Sequence, residues 1–161
     1  MTIKVGDRLP DATFRLITEA GPLPVTTGEF FAGKKVVLFG LPGAFTPTCH
    51  KSHLPGFVAN EKAFKAKGVE AIAMTSVNDH YVLSAWSKVS DADGKISFLA
   101  DGSADFAKAV GLEFDASAGG LGIRSRRYSM LVEDGVVKKL NIEESPGKAD
   151  LSSAEHLLAE I

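Results

Sequence analysis

Residues 36–57 read VVLFGLPGAFTPTCHKSHLPGF. The run opens as the body of a short buried strand, Lys34–Gly40, dense in Val, Leu and Phe. Gly40, Pro42 and Gly43 break it, and a helix start follows within "FTPTC". Thr46 reads as the N-cap, and Pro47 takes the first helical position, where a missing N–H costs nothing. Thr48 and Cys49 come next, so the sulfur lies beside unpaired backbone N–H groups and the positive end of the helix dipole. That setting favours the thiolate and can bring a cysteine from about 8.5 into the range of roughly 3.5–7.5. The Thr46 hydroxyl, three residues back, is within reach of the same sulfur. Pro55 is predicted to kink or end this first turn, leaving Cys49 on a short exposed turn.

Working outward, strand-like and helix-like segments alternate. A helix is predicted over 55–68 with Gly68 as its stop, and a second buried strand over 69–77. A helix over 78–89 takes Asn78 as cap and turns Val82, Ala85 and Trp86 to one face. A third strand covers 96–101, and a short helix covers 103–112 with Ser103 as cap and Gly111 as stop. Asp134-Gly135 divides residues 128–143 into a hairpin. The tail ends in a helix capped by Ser152 or Ser153, with Leu157, Leu158 and Ile161 inward. The first thirty residues read as a short strand or hairpin, "ATFRLI" and "LPVTT". Strands separated by helices imply parallel neighbours, and the late hairpin adds an antiparallel edge. The class is α/β, a central mixed sheet flanked by helices on both faces, the plan of a thioredoxin-like fold, in one domain over 1–161.

Net charge is −2 over 161 residues, which speaks against nucleic acid as a partner. Of five arginines, three fall together at Arg124, Arg126 and Arg127. A single cysteine excludes an intrachain disulfide. The N-terminus has no apolar signal region, and the longest mostly apolar run, 36–45, is too short to span a bilayer. A cytoplasmic location and no membrane association are expected.

A lone cysteine is most often inert packing. A core cysteine has no need of a capped third helical position, so the Thr-Pro-Thr-Cys context favours chemistry. His53, four residues on, could share a helical face with Cys49 and form the dyad of a thiol hydrolase, or equally cap a local carbonyl or pack on the surface. Cys49, His50, His53 and His80 lack the paired spacing of a metal knuckle, and neither "GGLG" nor "GLPG" is a nucleotide-binding motif. No metal and no cofactor are expected.

Pro42, Thr46 and Cys49 fit Pro-x-x-x-Thr-x-x-Cys and resemble the active-site signature of peroxiredoxins. The longer run at 36–57, "SVNDHYVLSAW" at 76–86, "RRYSMLVEDGVVKKLNIEES" at 126–145 and the opening "IKVGDRLPDATF" look like the type II, or peroxiredoxin-five, subfamily. The resemblance implies a thiol peroxidase on a thioredoxin-like fold, in which Cys49 attacks a hydroperoxide and becomes a sulfenic acid. Pro42 would shield the sulfur, and Thr46 would hydrogen-bond the thiolate and the peroxide. The family arginine matches Arg127, while Arg126 would point to the opposite face. Relatives with a second, resolving cysteine differ from this chain, which has Met74 at that strand position and no cysteine after Cys49. An outside thiol must therefore reduce the sulfenic acid: glutathione, glutaredoxin, thioredoxin or a second copy of the chain. Without an internal resolver, excess peroxide should drive Cys49 on to sulfinic or sulfonic acid. The resemblance also implies a homodimer, with Phe45, Trp86 and Leu121 as candidate apolar contacts. The same residues would serve a peroxide sensor that relays oxidation to a partner protein.

Overall fold

The computed structural model describes residues 1–161. The chain forms β1 (Thr13–Thr18), β2 (Gly21–Thr26), α1 (Thr27–Phe31) and β3 (Lys35–Gly40). A π-helical turn, Cys49–His53, leads into α2 (Leu54–Ala59) and α3 (Glu61–Ala66). Then come β4 (Ala71–Ser76), α4 (His80–Val89), β5 (Ser97–Ala100), α5 (Asp105–Ala109), β6 (Glu113–Asp115) and β7 (Ile123–Ser125). The hairpin β8 (Tyr128–Glu133) and β9 (Val136–Ile142) and the helix α6 (Ala154–Glu160) close the fold.

Seven strands make one mixed sheet in the order β2-β1-β5-β4-β3-β8-β9. The three helix-separated strands β3, β4 and β5 are parallel neighbours, as their spacing predicts. The hairpin β8–β9 adds antiparallel strands beside β3. Its turn holds Asp134 at φ 48° and Gly135 at φ 77°, the paired left-handed conformation of a two-residue hairpin loop. The N-terminal hairpin also joins this sheet, antiparallel to β5, so antiparallel strands flank the parallel centre on both sides.

Alternation along the central strands builds two cores. Val37, Phe39, Ile72 and Met74 pack with Phe57, Phe64, Trp86 and Leu157 from α2, α3, α4 and α6. Val36, Leu38, Ala73 and Met130 pack on the other face with Phe31 and Phe106 from α1 and α5. Helices therefore cover both faces of a thioredoxin-like sheet.

Several local expectations change. The helix predicted over 55–68 begins earlier, and Asn60 splits it into α2 and α3. Asp79, not Asn78, caps α4 by accepting from the Val82 N–H, and the inward residues are Leu83, Trp86 and Ser87. Ser103 does not cap α5. The buried Asp101 carboxylate does so by accepting from the Phe106 and Ala107 N–H groups at 3.0 and 2.9 Å. Ser153 is the cap of α6. The small antiparallel pair β6–β7 went unpredicted, because three-residue strands are too short to show a period.

Candidate active site

The sheet register brings the site together. Gly40, the last residue of β3, pairs with Tyr128, the first of β8. Gly40 also pairs with Thr75 near the end of β4. The segment leaving β3 and the residue entering β8 therefore meet at one end of the sheet, and these carry Cys49 and Arg127.

Pro42 is buried at the start of the loop, and its carbonyl accepts from Arg124 Nη1 at 3.1 Å. The Asn78 side-chain oxygen accepts from the Ala44 N–H at 2.9 Å, which is why Asn78 is not free to cap α4. Phe45 then turns the chain at φ 64°, a strained value for a bulky residue. The Thr46 carbonyl accepts from the His50 N–H at 2.8 Å and so opens the helix where the sequence placed it. Its hydroxyl neither caps the helix nor contacts the sulfur. It donates to the Gly43 carbonyl at 2.7 Å, because the turn at Phe45 swings that carbonyl beneath it. With its one proton committed, the hydroxyl retains only acceptor capacity.

Pro55 does not end the first turn. Leu54 donates to the Cys49 carbonyl across five residues, and this π turn inserts one extra residue ahead of the proline. A wider turn removes the clash between the proline ring and the preceding carbonyl, so the helix continues into α2. Cys49 is consequently 0% exposed, not on the exposed turn expected from the sequence. Leu41, Leu54 and Phe57 belong to the core cluster that includes it.

Arg127, also buried, reaches this sulfur. Its Nη2 lies 3.1 Å from Cys49 Sγ. Nε and Nη2 donate to the Pro146 carbonyl at 3.1 and 2.9 Å, and Nη1 donates to His53 Nδ1 at 3.0 Å. A guanidinium has no acceptor, so Nδ1 accepts and the imidazole proton lies on Nε2, which donates to the Ser152 carbonyl at 3.0 Å. Burial, then the Arg127 charge, lowers the His53 pKa to about 3, so the ring is neutral. With both nitrogens engaged elsewhere, His53 forms no dyad with Cys49. The sequence left His53 three places, beside the sulfur, on a local carbonyl or at the surface, and the structure puts it in none of them. Its partner is the arginine, which follows from the β3–β8 register and not from any local motif.

The other arginines are placed as well. Arg126 turns away from the sulfur and donates to the Glu143 carbonyl at 3.2 Å. Trp86 is fully buried, with its indole N–H donated to His50 Nδ1 at 2.9 Å, so it belongs to the core and not to an interface. Phe45 and Leu121 remain 50% and 42% exposed. Met74 is core. No helix is long and apolar enough to cross a membrane.

The Redoxin family model matches residues 4–158. A rice protein, Peroxiredoxin-2E-2, chloroplastic (Oryza sativa subsp. japonica), is 51% identical over 164 residues, covering 98% of this chain and 72% of the relative. Rice Peroxiredoxin-2C is 47% identical over 157 residues, covering 97% and 96%. The crystal structure of reduced Prx3 from Vibrio vulnificus in complex with H2O2 superposes with a TM-score of 0.94 at 48% identity, covering 99% of each chain. The chain thus belongs to the peroxiredoxins, in their type II branch, and is a thiol-dependent peroxidase.

Proposed function

We propose that Cys49 is the peroxidatic cysteine and that the reaction passes through its sulfenic acid. The observation that carries this reading is the Arg127 guanidinium held 3.1 Å from a buried sulfur. The thiolate attacks the distal oxygen of ROOH. An S–O bond forms and the O–O bond breaks, its electron pair leaving on the RO oxygen, which takes a proton and departs as water or alcohol. Sulfur is oxidised by two electrons. Arg127 stabilises negative charge first on sulfur and then on the oxygens as it moves. Thr46 orients the peroxide by accepting its O–H, the role left to a hydroxyl whose proton is already bound to Gly43. Pro42 walls the pocket.

Two external thiols return the two electrons, giving water and a disulfide, because no second cysteine exists in the chain. Glutathione, glutaredoxin and thioredoxin are the proposed donors. A homodimer with Phe45 and Leu121 in its contact and a cytoplasmic location complete the proposal. Analytical centrifugation and cell fractionation test these last two. For the chemistry, hydrogen peroxide consumption is followed with each reductant supplied separately. Turnover with at least one of them, abolished by Cys49→Ser, is expected. No turnover with any donor overturns the reading.

A further inference from the structure

We infer that His53 is the positioning residue for Arg127: a neutral imidazole that fixes the guanidinium plane so that one N–H points at Cys49. The inference rests on the reading of Arg127 and Cys49 as the reacting pair. The Pro146 carbonyl takes Nε and Nη2, which pins one edge of the guanidinium but leaves it free to swing about that oxygen. The second fixed point is Nη1 on His53 Nδ1 at 3.0 Å. With both in place, the remaining Nη2 proton is directed at Sγ, 3.1 Å away.

The imidazole is itself held rigid. Phe39 and Phe57 flank it with ring centroids at 5.2 and 5.6 Å. Its Nε2–H is held by the Ser152 carbonyl at 3.0 Å. Ser152 is in turn fixed by the buried Glu143 carboxylate, which accepts from its N–H and its hydroxyl, both at 2.7 Å. This chain of contacts ties the arginine to the end of β9 and the start of α6. The residue type matters. A carboxylate facing Nη1 would form an ion pair with Arg127 and draw its charge away from sulfur. A neutral acceptor positions the guanidinium and leaves its full charge to the thiolate.

Two conservative variants separate the roles of the two ring nitrogens. The side-chain oxygen in His53→Asn falls near Nδ1 and can accept from Arg127. The amide in His53→Gln reaches toward Nε2 and Ser152 instead. Two quantities are measured: the pH profile of Cys49 alkylation by iodoacetamide, which needs no peroxide turnover, and kcat/KM for hydrogen peroxide. His53→Asn should stay within about threefold of wild type in both. His53→Gln should lose about tenfold or more in kcat/KM, with its alkylation profile moved to higher pH. A wild-type profile in His53→Gln, equal impairment of the two variants, or failure of both to fold overturns the inference. If wild type itself turns over no peroxide, the peroxidase reading fails, while the alkylation comparison still decides the role of His53.

Discussion

Arg127 Nη2 stands 3.1 Å from the Cys49 sulfur across 78 residues of sequence. Both groups are buried, so the contact is shielded from water and salt, and a charge placed there acts at close to full strength. Antiparallel pairing of β3 and β8 makes the contact, since the two strands end and begin side by side.

Arg127→Lys tests the shape of that cation. The guanidinium serves Cys49, His53 and Pro146 together, and one ammonium cannot span all three. We expect kcat/KM for hydrogen peroxide to fall by about 100-fold or more and stability to drop by about 2–3 kcal/mol. Peroxide kinetics and urea unfolding measure the two effects. A variant within threefold of wild type would show that the guanidinium fork is dispensable.

At Thr46 two variants separate the hydroxyl, to which the proposal gives the peroxide, from the methyl. Thr46→Val removes the bond to the Gly43 carbonyl, whereas Thr46→Ser keeps it. Activity should fall at least tenfold in Thr46→Val and within threefold in Thr46→Ser, with both proteins folded by circular dichroism. Equal losses in the two variants would assign the effect to packing.

Gly43 tests the loop. A Cβ there would run into Arg124 Nη1 and push it off the Pro42 carbonyl, which it now meets at 3.1 Å. Because the intruding contact is the end of a flexible side chain, Gly43→Ala should cost about 1 kcal/mol or less in stability. Activity should fall by a larger factor, as Pro42 and Thr46 lose their fixed spacing. Arg124→Ala should show the same activity loss, and thermal melts with peroxide assays compare the two.

His53 sets a pH dependence of stability. In the unfolded chain it takes up a proton below about pH 6.5, and in the folded chain only below about 3. Between those values the unfolded state binds more protons, so stability is complete above pH 6.5 and declines as pH falls through the window. The decline attributable to this group approaches about 1.4 kcal/mol per pH step. Burial holds the Asp101 carboxyl above its usual value, which has the opposite sign but acts equally in a His53→Asn variant. Urea unfolding from pH 7 to 4.5 should therefore show wild type losing stability relative to His53→Asn. Parallel curves would mean that His53 takes up its proton in the folded state.

Much of the framework was legible in the sequence because it rests on local rules. The apolar run at 34–40 is a strand, and Asp134-Gly135 is a hairpin turn. Pro47 stands at a helix start, where its fixed φ and missing N–H cost nothing. Less legible were features that answer to a distant partner. Asn78 and Ser103 have good capping chemistry, yet Asn78 is taken by Ala44 and Asp101 displaces Ser103. Pro55 reads as a helix breaker until the π turn before it is seen.

The sequence by itself determined that the chain has one cysteine, that this cysteine sits in the first turn of a helix, and that no second cysteine of the chain can pair with it. It also placed Pro42, Thr46 and Arg127 by resemblance. Only the tertiary structure decided that the sulfur is buried, that the Thr46 hydroxyl is bonded to Gly43, and that His53 faces Arg127 and not Cys49. Composition and spacing describe what a segment prefers along its own backbone. Which side chains touch is decided by strand register, here Gly40 against Tyr128, and one sheet contact of that kind aligns residues dozens of positions apart.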